Sequence, residues 1–437
     1  MANQCILRIS RELGEIQKAA DLSLAAACRD SDVRHVRALI VGPPDTPYEF
    51  GFFEFKIRFG KEYPTKPPTV EAITTDRGQT RFNPNIYAGG KVCLSILGTW
   101  RGEPGEQWSS AQGLESVLIS IQSLMSENPY ENEPGFEDAR TPQDKIMQAA
   151  YAAKIRHETL RISVIDRLEG YLGIDQGRNG PVITVQPEFE AANEEPAWEP
   201  FKDLCKRRFL WYYESYKRAI EEEGMKHKDN TPFQKMPFEG GGNSMNGTFQ
   251  YQALKKRLER IYEKLEEEKQ QWIKEGKEAV QKESSKAVNL QRQFEQVVEA
   301  YKNQEMVNVE LDLVDSNPFL WRLVLFGRPM TNLDGSMICV QIHLSPRFPE
   351  ELPRAVMDPP IFHHRVSPKG IVCYHTRRVD DMGSHVNAII QAIEEEAPAY
   401  DPRTLVNPEA SRLLWGGPEN KKIYNRRVRR SAEATME

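Results

Sequence analysis

The sequence predicts an α+β protein in which one unit, a short antiparallel meander sheet flanked by helices, occurs twice, the two copies joined by a helical region. Three observations carry that reading. Strand-type residues broken by proline turns fill the stretch from 34 to 73; apolar residues at helical spacing lie on either side of it; and a second stretch repeats the first without a gap 285 positions later.

The elements follow in order. Ile6, Ile9, Leu13 and Ile16 fall at helical spacing and predict an amphipathic first helix from Ile6 to Ala20. From Arg34 to Phe59 the period changes to that of strands: Val36–Val41, a turn rich in proline at 42–47, then Phe52, Phe53, Phe55, Ile57 and Phe59. Tyr63-Pro-Thr-Lys-Pro-Pro68 lacks several backbone donors and lies outside any sheet, while Thr69–Ile73 adds a short strand. After about thirty irregular residues, Ser109 or Ser110 caps a helix carrying Leu114, Val117, Leu118, Ile121 and Leu124. Residues 142 to 275 read as helical, opening with Pro142 behind the cap Thr141. Within them Phe209–Tyr216 gives an aromatic core-packing face, and Tyr251, Leu254, Leu258, Ile261 and Leu265 an intramolecular seam. Met225–Gly247, with Gly240-Gly-Gly-Asn243, reads as a mobile loop.

In the repeat, Gly42 falls on Gly327, and at the same offset Arg37, Pro44, Thr46, Ile57, Pro64 and Pro68 meet Arg322, Pro329, Thr331, Ile342, Pro349 and Pro353. Five residues are then missing, so that Phe82, Gly90, Val92 and Cys93 fall on Phe362, Gly370, Val372 and Cys373. A helix from Ser284 to Lys302 opens the second copy. The predicted divisions are 1–160, a helical extension and linker at 161–283 with its mobile loop at about 225–247, and 284–437.

Composition narrows the function. With 58 Lys and Arg against 64 Asp and Glu, the net charge is −6, which gives no general case for nucleic acid, although Arg426, Arg427, Arg429 and Arg430 form a basic tail; proteins are the expected partners. Six scattered cysteines without a C-x-x-C pair fit reduced thiols in the cytoplasm or nucleus. The absence of an apolar run of about 18 residues, and of a signal-peptide core, predicts a soluble chain with no membrane partner.

Phe82-Asn-Pro-Asn-Ile-Tyr87 followed by Gly89-Gly-Lys-Val-Cys93-Leu-Ser-Ile-Leu97 is the most specific stretch. Its cysteine follows an irregular segment fixed by proline and freed by glycine, where a side chain can be presented to a partner. These residues resemble the active-site stretch of ubiquitin-conjugating enzymes, and the resemblance extends through Tyr63–Pro68, Trp108-Ser-Ser-Ala111 and Asn128-Pro-Tyr130. It is nearest to the large Z-type members, on Cys93–Trp100, Val117–Met125, Glu133-Pro-Gly-Phe-Glu137 and Ile155-Arg-His-Glu-Thr159, and covers roughly the first 270 residues.

The resemblance implies the ubiquitin-conjugating-enzyme fold and a thioester relay. Cys93 would receive the carboxyl-terminal glycine of ubiquitin from an activating enzyme and yield it to a substrate lysine, usually with a ligase. A thiol with a reference pKa of about 8.5 suits both acceptance and departure of an acyl group. The chain itself would need no cofactor or metal, ATP being used by the activating enzyme. Asn85 matches the family asparagine credited with stabilising the tetrahedral oxyanion. Asn83 stands where most members carry histidine, a departure the Z-type members share. The family's acidic residue beyond the active-site helix falls on Glu131 or Asn132, which a one-residue ambiguity leaves as competing matches. The partner surface would combine the first helix, with Arg8 and Arg11, and the loops at 63–68 and Trp108; Thr65 replaces a commonly large apolar residue there. Z-type members are associated with an alternative activating enzyme, and some accept a modifier built of two tandem ubiquitin folds; the residues leave that choice open.

In the second copy, Phe362-His-His-Arg-Val366 replaces Phe82-Asn-Pro-Asn-Ile86 and Cys373-Tyr-His-Thr376 replaces Cys93-Leu-Ser-Ile96, so Arg365 stands at the asparagine's place. A degenerate partner-binding or scaffolding copy is expected, and His363, His364, Cys373 and His375 are too irregularly spaced to favour zinc. Two other readings remain: a ubiquitin-binding scaffold with two conjugating-like modules, and a conjugating enzyme dedicated to a ubiquitin-like modifier.

Overall fold

Cys5, Ile9, Leu13 and Ile16 line the buried side of the first helix, α1 (Ala2–Lys18), and Cys5 takes the place expected of Ile6, which is 36% exposed. The computed structural model describes residues 2–19, 21–102, 105–174, 198–240, 245–304 and 307–436. They form two units, one of Met1–Cys205 with Ala219–Ile261, the other of Lys206–Arg218 with Tyr262–Glu437.

In the first unit, α1 packs on an antiparallel meander of β1 (Leu24–Arg29), β2 (Asp32–Val41), β3 (Phe52–Arg58) and β4 (Thr69–Ala72), in that spatial order. β1, an alanine-rich run, carries no strand signal of its own and is held by its pairing with β2. The core lies between α1, the inner face of the sheet and α2 (Leu114–Ser123), where Val36, Ala38, Phe53, Phe55, Leu114, Val117, Leu118 and Ile121 are buried. The start of α2 is not capped by Ser109 or Ser110. Its cap is Gly113, and the buried carboxylate of Glu12 on α1 accepts hydrogen bonds from the Leu114 backbone N–H at 3.0 Å, the Tyr63 hydroxyl at 2.6 Å and Arg8 Nε at 2.7 Å. A side chain from another helix therefore supplies the acceptor that local sequence lacks.

Beyond α2, Thr141 caps α3 (Pro142–Glu158) as expected, its hydroxyl accepting from Asp144 N at 3.1 Å. The helix runs on through a π-helical segment, Thr159–Asp166, into α4 (Arg167–Leu172). Buried charge fastens this extension to the sheet. Glu54 of β3 accepts from Arg37 at 2.9 Å and from Arg167 at 2.7 Å, while Arg161 meets Asp76 at 2.7 Å and a close partner in Glu158. The unit thus continues past the boundary expected near 160.

Two long helices, α5 (Lys202–Lys226) and α6 (Tyr251–Gln281), are each divided between the units, so the extension is not a separate body. The seam from Tyr251 to Ile261 is buried within the first unit. The segment expected to be a mobile loop carries four side chains tied to the core, residues 241–244 lying outside the described set. Met236 and Met245 are buried, Phe238 packs on Tyr130, Phe136 and Tyr151, and Glu239 pairs with Lys154 at 2.5 Å. Its polar, glycine-rich composition hid these four anchors.

Beyond its parts of α5 and α6, the second unit contains α7 (Ser285–Asn303), capped by Ser284, and continues with β5 (Val309–Leu313), β6 (Leu320–Phe326), β7 (Met337–His343) and β8 (Arg354–Met357), then α8 (Met382–Glu394), α9 (Pro408–Trp415) and α10 (Pro418–Glu433). Its sheet has the same order and, 285 positions on, the same register. Val36 pairs with Ile57 and Trp321 with Ile342; Leu24 pairs with Ile40 and Val309 with Leu325; Phe55 pairs with Ala72 and Val340 with Met357. Gly42 and Gly327 explain one conserved turn, since a Cβ at either would lie within 2 Å of a backbone carbonyl oxygen, that of Tyr48 or Leu333.

Two predictions follow from this packing. Gly42→Ala should destabilise the first unit severely, whereas Gly14→Ala, in the middle of α1 with no neighbour within 4 Å, should stabilise it by about 0.5–1 kcal/mol; denaturant midpoints of the two variants distinguish them. Burial pushes the Glu158 carboxyl up, but His157 and Arg161 outweigh it and hold it at about 2. Because a depressed carboxyl stabilises only while ionised, its contribution is complete above the ordinary glutamate range near 4.5 and lost as pH falls toward about 2. Urea midpoints over that range should fall steeply for the wild type and less steeply for Glu158→Gln.

Candidate active site

Cys93 lies at the end of a folded-back segment that begins at Arg81. Gly90, with φ +88°, allows a turn tight enough for Gly90 N to bond Tyr87 O at 2.9 Å and for Gly90 O to accept from Ala72 N of β4 at 2.8 Å. A Cβ there would lie 2.9 Å from the Ala72 carbonyl oxygen, so glycine is required. The turn returns the chain beside itself. The Cys93 N–H donates to Asn85 O at 2.8 Å, and the Asn85 side-chain Nδ2 donates back to Cys93 O at 3.2 Å.

The residues behind Asn85 are fixed in turn. The Tyr48 hydroxyl donates to Phe82 O at 2.7 Å. Asn83, wholly buried, donates from Nδ2 to Tyr48 Oη at 3.0 Å and to Leu124 O at 2.8 Å, and its Oδ1 accepts the Asn85 N–H at 2.9 Å. Arg81 donates to Pro84 O in a short hydrogen bond, pairs with Glu133 at 3.2 Å and lies over the Tyr87 ring at 4.4 Å.

The two competing residues take separate places. Asn132 Nδ2 donates to Leu124 O at 2.9 Å and reaches Asn83 Oδ1 at 3.4 Å, so it belongs to the support of the loop. Glu131 is exposed and accepts from Gln148 Nε2 at 3.4 Å. Neither has a hydrogen bond to Cys93 or Asn85 among the described residues. The carboxylate tied to the Asn85 loop is Glu133, held through Arg81; burial pushes its pKa up and Arg81 offsets only part of that rise. Arg81 and Glu133 were missed in the sequence because their pairing spans 52 residues.

Cys93 itself is only 2% exposed, which corrects the expectation of a sulfur presented to solvent. The turn that follows folds over its own start: Thr99 Oγ1 donates to Val92 O at 2.7 Å and accepts from Leu94 N at 2.9 Å. On the first helix, Arg8 is engaged by Glu12 and by Gln112 O at 2.7 Å, while Arg11 is exposed and Trp108 Nε1 donates to Pro64 O at 2.8 Å, joining the two loops beside it.

The same backbone recurs in the second unit. Cys373 N donates to Arg365 O at 2.8 Å, Ser367 N to Ile371 O at 2.9 Å, and Gly370 carries φ +83°. The side chains differ. Arg365 Nη1 lies 3.9 Å from the Cys373 sulfur, and burial pushes that thiol up despite Arg365 and Arg208. His364 is tied by Nδ1 to the Tyr424 hydroxyl at 2.8 Å, and burial, with His363 and Arg365, drives its pKa down to about 2. Within the same unit Tyr212 donates to Arg403 O at 2.7 Å, and Lys369 lies over the Tyr262 ring at 3.9 Å.

A cysteine and an asparagine are thus locked together on an irregular return beside a four-stranded meander. The family model described as ubiquitin-conjugating enzyme matches residues 8–159. The chain is 42% identical over 270 residues to ubiquitin-conjugating enzyme E2 Z of Danio rerio, covering 61% of this chain and 70% of that protein, and 39% identical to that of Xenopus tropicalis, covering 61% and 74%. Against E2 Z of Homo sapiens the identity is 41%, covering 60% of this chain and 64% of that protein's length. The chain belongs to the ubiquitin-conjugating enzyme family.

The burial pattern makes a direct prediction. With limiting iodoacetamide on the folded protein, the half-buried Cys28 and Cys339 should label before the buried Cys93 and Cys373. Peptide mass spectrometry would read the order, and Cys93 labelling first would show its sulfur to be open in solution.

Proposed function

We propose that this chain accepts ubiquitin, or a ubiquitin-like modifier, as a thioester on Cys93 and passes it to a lysine of a protein substrate. The observation that carries the reading is the reciprocal Asn85–Cys93 bond in a chain of this family. The Cys93 thiolate attacks the carbonyl of the modifier's terminal glycine, held as a thioester on an activating enzyme, and that enzyme's sulfur leaves. A lysine amine then attacks the Cys93 thioester, the Cys93 thiolate leaves and the amine gives up a proton. In both steps the carbonyl oxygen becomes an oxyanion beside the cysteine. Asn85 Nδ2 rests on the Cys93 carbonyl, a neutral bond, and exchanges it for a charge-assisted one as the oxyanion of the second step, attack by lysine, forms.

This chemistry asks for no cofactor in the chain. ATP belongs to the activating enzyme, whether the principal or the alternative one, and a ligase would bring the substrate. Asn132 and Glu131 are read as supporting and solvent-facing residues respectively. Cytosol or nucleus is the setting in which such a thiol stays reduced.

We read the second unit as a degenerate conjugating-like module. The matched strand register supports its kinship, and the exchange of Asn85 for Arg365 beside a buried thiol held up in pKa supports its lack of acyl chemistry. At neutral pH Cys373 is a thiol, which is a poor nucleophile.

With activating enzyme, ATP and ubiquitin, the wild type and Cys373→Ala should form a reducible adduct and Cys93→Ala should not. Non-reducing gels read this directly, and the opposite pattern would move the site to the second unit. Asn85→Ala should charge normally but discharge to free lysine about 10²-fold more slowly.

A further inference from the structure

We propose that Arg81 and Glu133 are positioning residues for Asn85, setting the peptide plane from which its side chain reaches Cys93. This rests on the function proposed above and names residues for it that do not touch the reacting atoms.

The Pro84–Asn85 peptide is gripped at both ends. Its carbonyl oxygen accepts from Arg81, and its N–H donates to Asn83 Oδ1 at 2.9 Å. From that fixed plane the Asn85 backbone and side chain meet Cys93 through the two bonds at 2.8 and 3.2 Å. Arg81 is itself aimed by Glu133 at 3.2 Å and by the Tyr87 ring beneath it. The pair therefore ties the turn carrying Asn85 to the segment beyond α2.

Packing alone does not account for this arrangement. A buried ion pair is seldom more stabilising than apolar side chains of similar size, because both charges must be desolvated. The second unit supplies the comparison. At the offset that aligns Cys93 with Cys373, Arg81 corresponds to Ile361, which is buried, and the loop there keeps its backbone bond from Cys373 N to Arg365 O at 2.8 Å. The loop thus forms with an aliphatic residue at that place, and it is the unit without the asparagine that lacks the arginine.

The test is Arg81→Ile, with Glu133→Gln as a milder variant and Arg81→Lys as the conservative one, each alone and combined with Asn85→Ala in the full chain. The measurements are ubiquitin charging of Cys93, single-turnover discharge of the thioester to free lysine across lysine concentrations, and thermal melting. Arg81→Ile, which leaves Glu133 unpaired, should remain folded at the assay temperature and charge at the wild-type rate, while its saturating discharge rate falls about tenfold or more with the half-saturating lysine concentration unchanged. Arg81→Lys should recover part of the rate. In the Asn85→Ala background Arg81→Ile should cost little further, since there is no amide left to aim. Wild-type discharge by Arg81→Ile and Glu133→Gln, or losses that multiply fully with that of Asn85→Ala, would overturn the inference while leaving the proposed function intact. A wild-type chain that never charges would overturn both.

Discussion

The eight-residue return closed by Asn85 and Cys93 is the constraint on which the site depends. Its two hydrogen bonds run in opposite directions, so neither residue can move without the other. Every surrounding feature serves that closure: Gly90 permits the reversal, Ala72 of β4 anchors it, and Asn83 and Arg81 fix the peptide before Asn85. Held in this way, the Asn85 side-chain amide is kept at the cysteine through its bond to the Cys93 carbonyl.

The two units separate backbone from chemistry. Strand order, register and the left-handed glycine of the turn are common to both, because they answer to main-chain hydrogen bonding and to the close approach of a turn to a strand. The chemical difference lies in a few side chains on the same frame. Where the first unit has a neutral amide beside its cysteine, the second has a guanidinium, and where the first has Arg81 and Pro84 the second has Ile361 and His364. The two sheets thus share a main-chain frame and differ in the side chains around their cysteines.

Charge in the first unit is used to hold elements together at long sequence separation. Glu12 caps a helix 102 residues away, and Arg167 reaches Glu54 across 113. In each case a group that would be costly to bury alone is surrounded by partners, three donors in the case of Glu12 and two guanidinium groups in that of Glu54. These contacts bring the helical extension into the first unit, and they explain why a boundary drawn from composition near 160 does not fall between bodies.

How much of this was legible depended on the range of the interaction. Periodicity located α1, α2 and three strands of the first sheet, and the proline and glycine turns revealed the repeat that in turn placed α7, because these are local consequences of burial and backbone freedom. The motif likewise singled out Cys93 and Asn85. Sequence missed β1, whose alanines become a strand only by pairing with β2, and misplaced the cap of α2, which comes from Glu12. It read residues 225–247 as loose because methionine and phenylalanine anchors are few among polar neighbours. It also left Glu131 and Asn132 undecided, whereas the folded chain sends one to Gln148 and the other to Asn83. By itself, then, the sequence indicated most of the elements, the internal repeat and the motif that carries Cys93 and Asn85. Only the tertiary structure decided which distant groups cap, clamp and cover them, since such partners are chosen by proximity in space and leave no periodic mark along the chain.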